Sequence, residues 1–409
     1  MTDRYDIGLE KAISITLDRL SKLKAVAVPV DQACGFVAAE DAYAVVDCPS
    51  RTASLKDGFA VISDDVKYAS KDRPVRLSVS GMIGAGDMSG LVVTTGTAIK
   101  VMTGASIPEG ANAVISEEFT SEEDGWVTCY RDSGPGRNIL VRGSDVEKGS
   151  PVKVRDDILS PAMTGLLAAA GIHTVRVYPR PRVGVISTGS EVVAPGSQLS
   201  PGQLYASNMV TLVSWLRHFG MEAVSKVVPD QEGRIRGAIE AMLEEVDVLL
   251  TSGGAWKSER DLTTRILIEM GGDVAFHRVR LGPGKAAALI IIGDKVVFCL
   301  PGGPPSNEMA FLQIALPGLL HMSGMNPEPF GYKTAILSSP VIGDITWTQF
   351  YQAKLEKKGN QLWVHPIKMK SRLRSQAIAD AMIKLPEGVD HLNEGDKVEV
   401  QTLGLAGLG

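Results

Sequence analysis

Apolar residues recur mostly at three- and four-residue intervals near the start of the chain, at Leu9, Ile13, Ile15, Leu17, Leu20 and Leu23. That spacing lines one face of a helix. The run 25–30, Ala-Val-Ala-Val-Pro-Val, then predicts a strand. From about 45 to 136 the pattern changes to short apolar runs broken by glycine and proline, such as 58–61, 75–79, 98–101 and 113–115, which is β-rich text. Asp156-Asp157 is placed to open an apolar helix over 158–170, with Gly171 as its C-cap. Residues 182–320 alternate strands with helices. Strands are predicted at 183–186, 223–228, 247–251 and 296–300; helices at 207–216 (capped by Ser207-Asn208), 235–243, 261–270 and along the final stretch. This alternation implies a parallel sheet covered on both faces, whose ligands sit at the carboxyl ends of the strands. After Asn326-Pro327-Glu328-Pro329 the text is strand-like again, through 363–366 and 397–400, and predicts a small C-terminal β domain.

The chain has 409 residues, more than one ordinary core accommodates. Its formal net charge of −5 gives no basic footprint for nucleic acid, and Arg176, Arg180 and Arg182 are interleaved with apolar strand residues. No stretch approaches the roughly 20 apolar residues that cross a bilayer, and the polar first residues read as no secretory signal. Cys34, Cys48, Cys129 and Cys299 have no Cys-x-x-Cys spacing, and the six histidines have no metal-ligand spacing. Free thiols in a reducing compartment follow, and the expected location is the cytoplasm.

Three glycine-containing loops fall at the same predicted sheet edge. They are Ser187-Thr188-Gly189-Ser190-Glu191, Thr251-Ser252-Gly253-Gly254, and Pro301-Gly302-Gly303-Pro304-Pro305-Ser306. Small residues let backbone N–H groups approach a ligand, and their dipoles favour an anion. Around them stand Glu191, Asp230, Glu259 and Asp261. Carboxylates beside a phosphate-binding loop are explained by magnesium, which binds both. Asp230 and Asp261 also precede helices, where a capping role accounts for them equally well.

The segment 182–203, with Ser187-Thr188-Gly189, Glu191 and Pro195-Gly196, resembles the MoeA/gephyrin E-domain family of molybdopterin molybdenumtransferases. So, in the same order along the chain, do Asp57-Gly58-Phe59-Ala60-Val61, Met102-Thr103-Gly104-Ala105, Gly143-x-Asp145, Thr251 to Gly254 with Asp261, Pro283-Gly284-Lys285, and Leu300-Pro301-Gly302 with Pro304. A weaker tail runs over 375–388. Each motif is short; their order over nearly the whole chain carries the resemblance.

The resemblance implies a multi-domain α/β plus β fold in an L-shaped, four-domain protomer that forms a homodimer. Its parts are an elongated helical linking domain (1–45 and 137–180), a β-rich domain (46–136), a doubly wound molybdopterin-binding-type α/β domain (181–326) and a C-terminal β domain (327–409). The implied reaction inserts molybdate, or tungstate, into adenylylated molybdopterin, with magnesium-dependent release of AMP. Glu191, Asp230 and Asp261 would surround the metal and nucleotide. Asp57, Thr103 and Asp145 would face them across the dimer. Ser187, Thr188, Gly189, Ser252, Gly253 and Gly254 would bind the ligand. Lys285 with Pro301, Gly302, Pro304 and Ser306 would line the pterin or oxyanion side. Implied partners are a molybdopterin adenylyltransferase and the molybdoenzymes or carriers that accept the product.

Several loop positions depart from the family pattern. Ala255, Trp256, Lys257 and Ser258 replace small residues and a glycine; Gly282 stands where a lysine is usual and Gly303 where asparagine is usual. Ser190, Ser144 and Lys56 depart in the same way. Losing a preorganised cation costs about 2.7–4 kcal/mol of transition-state stabilisation, so Gly282 points to altered activity unless Lys257 or Arg260 compensates. Trp256 either offers a flat face to a pterin or packs beneath its loop. The competing reading is a weakened paralogue that carries molybdopterin or its finished cofactor.

Overall fold

The computed structural model describes residues 4–87, 90–152, 154–253, 262–368 and 371–403. The chain divides into two compact units, one of residues 27–177 and one joining 1–26 to 178–409.

The first unit holds a six-stranded sheet in the order Thr120–Glu123, Trp126–Cys129, Val75–Ile83, Thr97–Val101, Gly58–Val61, Ala113–Ser116. Alternation along its strands supplies two cores. Phe59 and Val61 pack on one face with Leu77, Ala98, Ile115 and Val127. Ala60 turns to the other with Ile83, Ile99, Val101 and Val114. A second subregion pairs Val26–Pro29, Thr174–Tyr178 and Val37–Ala38 in a small sheet. The helix Pro161–Ala169 lies there, with Leu167 in the core beside Val175 and Val177. That helix starts later than the charge pattern predicts. Ser160, not Asp156-Asp157, is the N-cap: its hydroxyl accepts from Met163 N at 3.1 Å, and Pro161 occupies the first turn. Gly171 follows the helix with φ +80°, the left-handed conformation that favours glycine.

In the second unit four parallel strands run in the order Ala223–Val228, Val183–Thr188, Val248–Ser252, Lys295–Leu300. Val183–Thr188, Val248–Ser252 and Lys295–Leu300 are largely apolar and buried because both faces are covered, whereas the edge strand Ala223–Val228 exposes Ser225 and Lys226. Val183, Val185, Val248 and Leu250 point into one core, which also takes Leu212 and Leu216 of the helix Ser207–His218. Ile186, Leu249 and Val297 point into the other, with Ile235, Ile239 and Met242 of the helix Glu232–Glu245. Two strands not anticipated from sequence, Asp273–Gly282 and Ala288–Ile292, extend the sheet antiparallel. Charged residues interrupt Asp273–Gly282, which hides its alternation.

Asp273–Gly282 then pairs in parallel with Thr348–Lys358, through Leu281 with Thr348 and Gly282 with Gln349. The C-terminal β region is thus hydrogen-bonded to the α/β sheet. The N-terminal helix Leu9–Arg19, assigned from sequence to the linking domain, groups with this unit as well. Leu9, Ala12 and Leu20 enter the same core as Val279, Leu316 and Phe298, and the strand Tyr5–Gly8 pairs with Asp273–Gly282. No helix among the described residues is long and apolar enough to cross a membrane.

Candidate active site

The three glycine loops meet at the carboxyl edge of the parallel strands. Register places Ser187 beside Ser252, and Ser252 beside Leu300. Gly253 has φ +106°, and a Cβ there would lie 2.5 Å from the Thr188 carbonyl oxygen and 2.8 Å from its hydroxyl. A Cβ on Gly302 would in turn lie 3.6 Å from Gly253 Cα. Ends of three strands therefore approach within van der Waals distance, and only glycine at 253 allows it. Ser187, Thr188, Ser252 and Pro301 are buried; Gly302 is exposed, while Pro304 and Ser306 are half-buried on the turn that opens the next helix. Gly254 and Asp261, with the altered stretch 255–260, lie outside the described residues.

Two amides lock this junction. Asn208 Nδ2 donates to Ser252 Oγ at 3.2 Å and to the Gly302 carbonyl at 2.8 Å. Asn307 Nδ2 donates to Ser252 Oγ at 3.0 Å and to the Pro301 carbonyl at 2.8 Å. Sequence reasoning made Asn208 a helix cap. Instead the helix Ser207–His218 has no side-chain cap, and its first-turn asparagine ties the second loop to the third. Asn307 went unnoticed because an asparagine after proline and serine reads as ordinary turn chemistry. The Thr188 hydroxyl has no partner among the described residues, although its residue is 4% exposed.

Glu191 follows the first loop, and a Cβ on Gly189 would lie 3.0 Å from both its carboxylate oxygens. Asp230 faces it: partial burial, and then the Glu191 charge, push the Asp230 carboxyl up from its ordinary value. Asp230 does not cap the helix Glu232–Glu245, whose N-cap Gln231 makes no side-chain bond either. Among the described residues no group of three or more His, Cys, Asp or Glu side chains forms a ready metal site. A facing carboxylate pair still suits magnesium, which commonly takes one or two protein carboxylates and completes its shell with water and ligand phosphates.

Lys285 sits on the turn after Asp273–Gly282, half-buried, with Nζ 4.4 Å from the centre of the Trp347 ring. Near it a cleft of about 510 Å³ opens between the α/β and C-terminal parts of the unit. Pro283, Pro305, Met309, Lys368, Ser371 and Arg372 are among its lining residues. The cations and hydroxyls of this wall were not singled out in the sequence, where the weak tail of the resemblance begins only at Ser375.

In the other unit Asp57 and Thr103 come together: Asp57 Oδ1 accepts from Thr103 N at 2.6 Å. The Thr103 backbone N–H, and then its side chain, hold the exposed Asp57 carboxyl below the usual carboxylate range. Asp145 is held separately, its Oδ2 lying 3.8 Å from Cys48 Sγ and its backbone N–H bonded to Cys48 O at 2.9 Å. Burial, and then the Asp145 charge, raise the Cys48 thiol.

The chain matches three family models in succession: the MoeA N-terminal region (domain I and II) over residues 7–171, a probable molybdopterin binding domain over 184–321, and the MoeA C-terminal region (domain IV) over 334–403. Molybdopterin molybdenumtransferase 2 of Mycobacterium tuberculosis (strain ATCC 25618 / H37Rv) is 31% identical over 396 residues, covering 95% of this chain and 98% of the relative. Molybdopterin molybdenumtransferase of Bacillus subtilis (strain 168) is 31% identical over 370 residues, covering 88% and 86%. The crystal structure of a molybdopterin biosynthesis MoeA protein from Pyrococcus horikosii superposes with a TM-score of 0.83 at 34% identity, over 98% of this chain and 99% of that one. On this evidence the chain belongs to the MoeA family of molybdopterin molybdenumtransferases, enzymes of molybdenum-cofactor biosynthesis.

Proposed function

We propose that this enzyme inserts molybdate, or tungstate, into adenylylated molybdopterin and releases AMP in a magnesium-dependent step. The observation that carries the reading is the junction of Thr188, Gly253 and Gly302 beside the Glu191–Asp230 pair. Backbone dipoles suit phosphate oxygens, and the carboxylates suit the cation that accompanies them. Glu191 and Asp230 would hold magnesium, with Asp261 as the expected third carboxylate. When bound, magnesium would neutralise charge on the phosphate oxygens while water forms the new bond to phosphorus and AMP leaves. Asn208 and Asn307 keep the loops in register, so the phosphates meet a rigid cradle. Lys285 and Ser306 supply a cation and a hydroxyl for the oxyanion, with the adjoining cleft as its route or pocket.

A homodimer is the proposed assembly, in which Asp57, Thr103 and Asp145 complete the site from the second protomer. The cytoplasm is the proposed location, and an adenylyltransferase and product-accepting molybdoenzymes or carriers the proposed partners. The test mixes purified protein with adenylylated molybdopterin, magnesium and molybdate. AMP release that requires both additions is expected. Tight pterin binding without such release would turn the reading toward a carrier.

A further inference from the structure

The loop 282–285 offers one cation, Lys285, because Gly282 carries no side chain. We infer that Trp347 is a positioning residue that clamps Lys285, and that it makes the C-terminal β region part of the oxyanion-side machinery. The inference rests on the reading of Lys285 as an oxyanion-side group.

Strand pairing sets the clamp up. Leu281 pairs in parallel with Thr348 and Gly282 with Gln349, which sets Trp347 beside Arg280, and the turn brings Lys285 back against the same strand, its carbonyl accepting from Val279 N at 3.0 Å. The Lys285 ammonium lies 4.4 Å from the centre of the Trp347 ring, and both residues are half-buried. Among the described residues Lys285 makes no ion pair, so the ring is the group that restrains it. A lysine on a free turn samples many rotamers; an ammonium over an indole face is confined.

The turn bearing the ring is itself fixed. Trp347 N donates to the Asp344 carbonyl at 3.0 Å, and Thr346 donates through both its backbone N–H and its hydroxyl to Asp344 Oδ1, at 2.9 and 2.7 Å. Gln349 Oε1 accepts from Asp344 N at 2.6 Å. The same glutamine closes the other side of the lysine loop, since a Cβ at 282 would lie 3.1 Å from Gln349 Cγ. Gln349 thus occupies the space beside Gly282 and anchors the turn that presents Trp347. One strand end fills the place of a missing side chain and restrains the cation that remains.

Steady-state AMP release at varied molybdate, for wild type, Trp347→Ala, Trp347→Phe and Lys285→Ala, tests this. A contact of this kind is worth about threefold to tenfold. Trp347→Ala is expected to raise the molybdate KM by about that factor with little change in kcat, whereas Trp347→Phe stays near wild type. In protein carrying 13C-methylated lysines, the ring-current shift of the Lys285 methyl signal should vanish in Trp347→Ala, with Lys285→Ala assigning the signal. A raised KM in Lys285→Ala with an unchanged KM in folded Trp347→Ala would overturn the clamp alone. An unchanged KM in Lys285→Ala would overturn the role given to Lys285, and the clamp with it.

Discussion

Partial burial, and then the charge of Glu191, push the Asp230 carboxyl up from its ordinary value. An acid whose pKa rises on folding holds its proton more tightly in the native state. Its contribution to stability is present below the ordinary carboxylate pKa and is lost as pH rises through the raised value. Asp230→Asn should therefore raise Tm near neutral pH without magnesium, and the gain should shrink as the buffer is made acidic. Thermal unfolding across pH checks this; a Tm difference independent of pH would remove the electrostatic conflict. The same substitution should weaken magnesium-dependent AMP release. Sequence alone marked both carboxylates but left Asp230 divided between metal ligand and helix cap. The absence of a side-chain bond at that helix start removes the second role. Asn208 shows the opposite case, since its position fits a cap while its amide bonds two distant loops. Such long-range partners leave no periodic trace in a sequence.

Strand ends and the turns after them form the cradle, so the loop glycines are not equivalent. Gly253 combines φ +106° with a Cβ position 2.5 Å from the Thr188 carbonyl oxygen, whereas a Cβ on Gly302 would meet ordinary contact distances. Gly253→Ala should destabilise the protein by about 1–3 kcal/mol and sharply reduce AMP release. Gly302→Ala should leave stability within about 0.5 kcal/mol of wild type. Denaturant unfolding of the two variants decides the point; equal losses would contradict the tight junction at Gly253. Apolar runs made the strands 183–188 and 248–252 legible, and the glycines after them marked the loops. Asp273–Gly282 was hidden because His277, Arg278 and Arg280 interrupt its apolar residues. The helix at 161 was placed early because an acidic pair imitates a first turn, while Ser160 and Pro161 carried the actual signal.

Across the second unit, one sheet runs from the parallel strands through Asp273–Gly282 into the C-terminal β strands. Phe350 and Met382 from that region enter the same core as Val185 and Leu250. Hydrogen exchange should give Asp273–Gly282 and the start of Thr348–Lys358 matching protection, because opening one strand exposes the other. Much faster exchange in 348–350 would show that the C-terminal region opens independently. A domain list drawn from sequence places cuts where prolines cluster, as at Pro327 and Pro329. It has no means of seeing that a chain leaves a sheet and returns to it. The helix Leu9–Arg19 illustrates the same limit: its amphipathic face was legible, but the core that receives it was not.

The family assignment fixes the kind of enzyme, and the junction of loops and carboxylates supports one reaction for it. Its most direct test is to supply adenylylated molybdopterin, magnesium and molybdate, then measure released AMP and pterin-bound molybdenum in the same sample. The account predicts that both appear together in equimolar amounts and that neither appears when magnesium is chelated. Pterin bound tightly with no AMP released, or AMP released without molybdenum inserted, would contradict it.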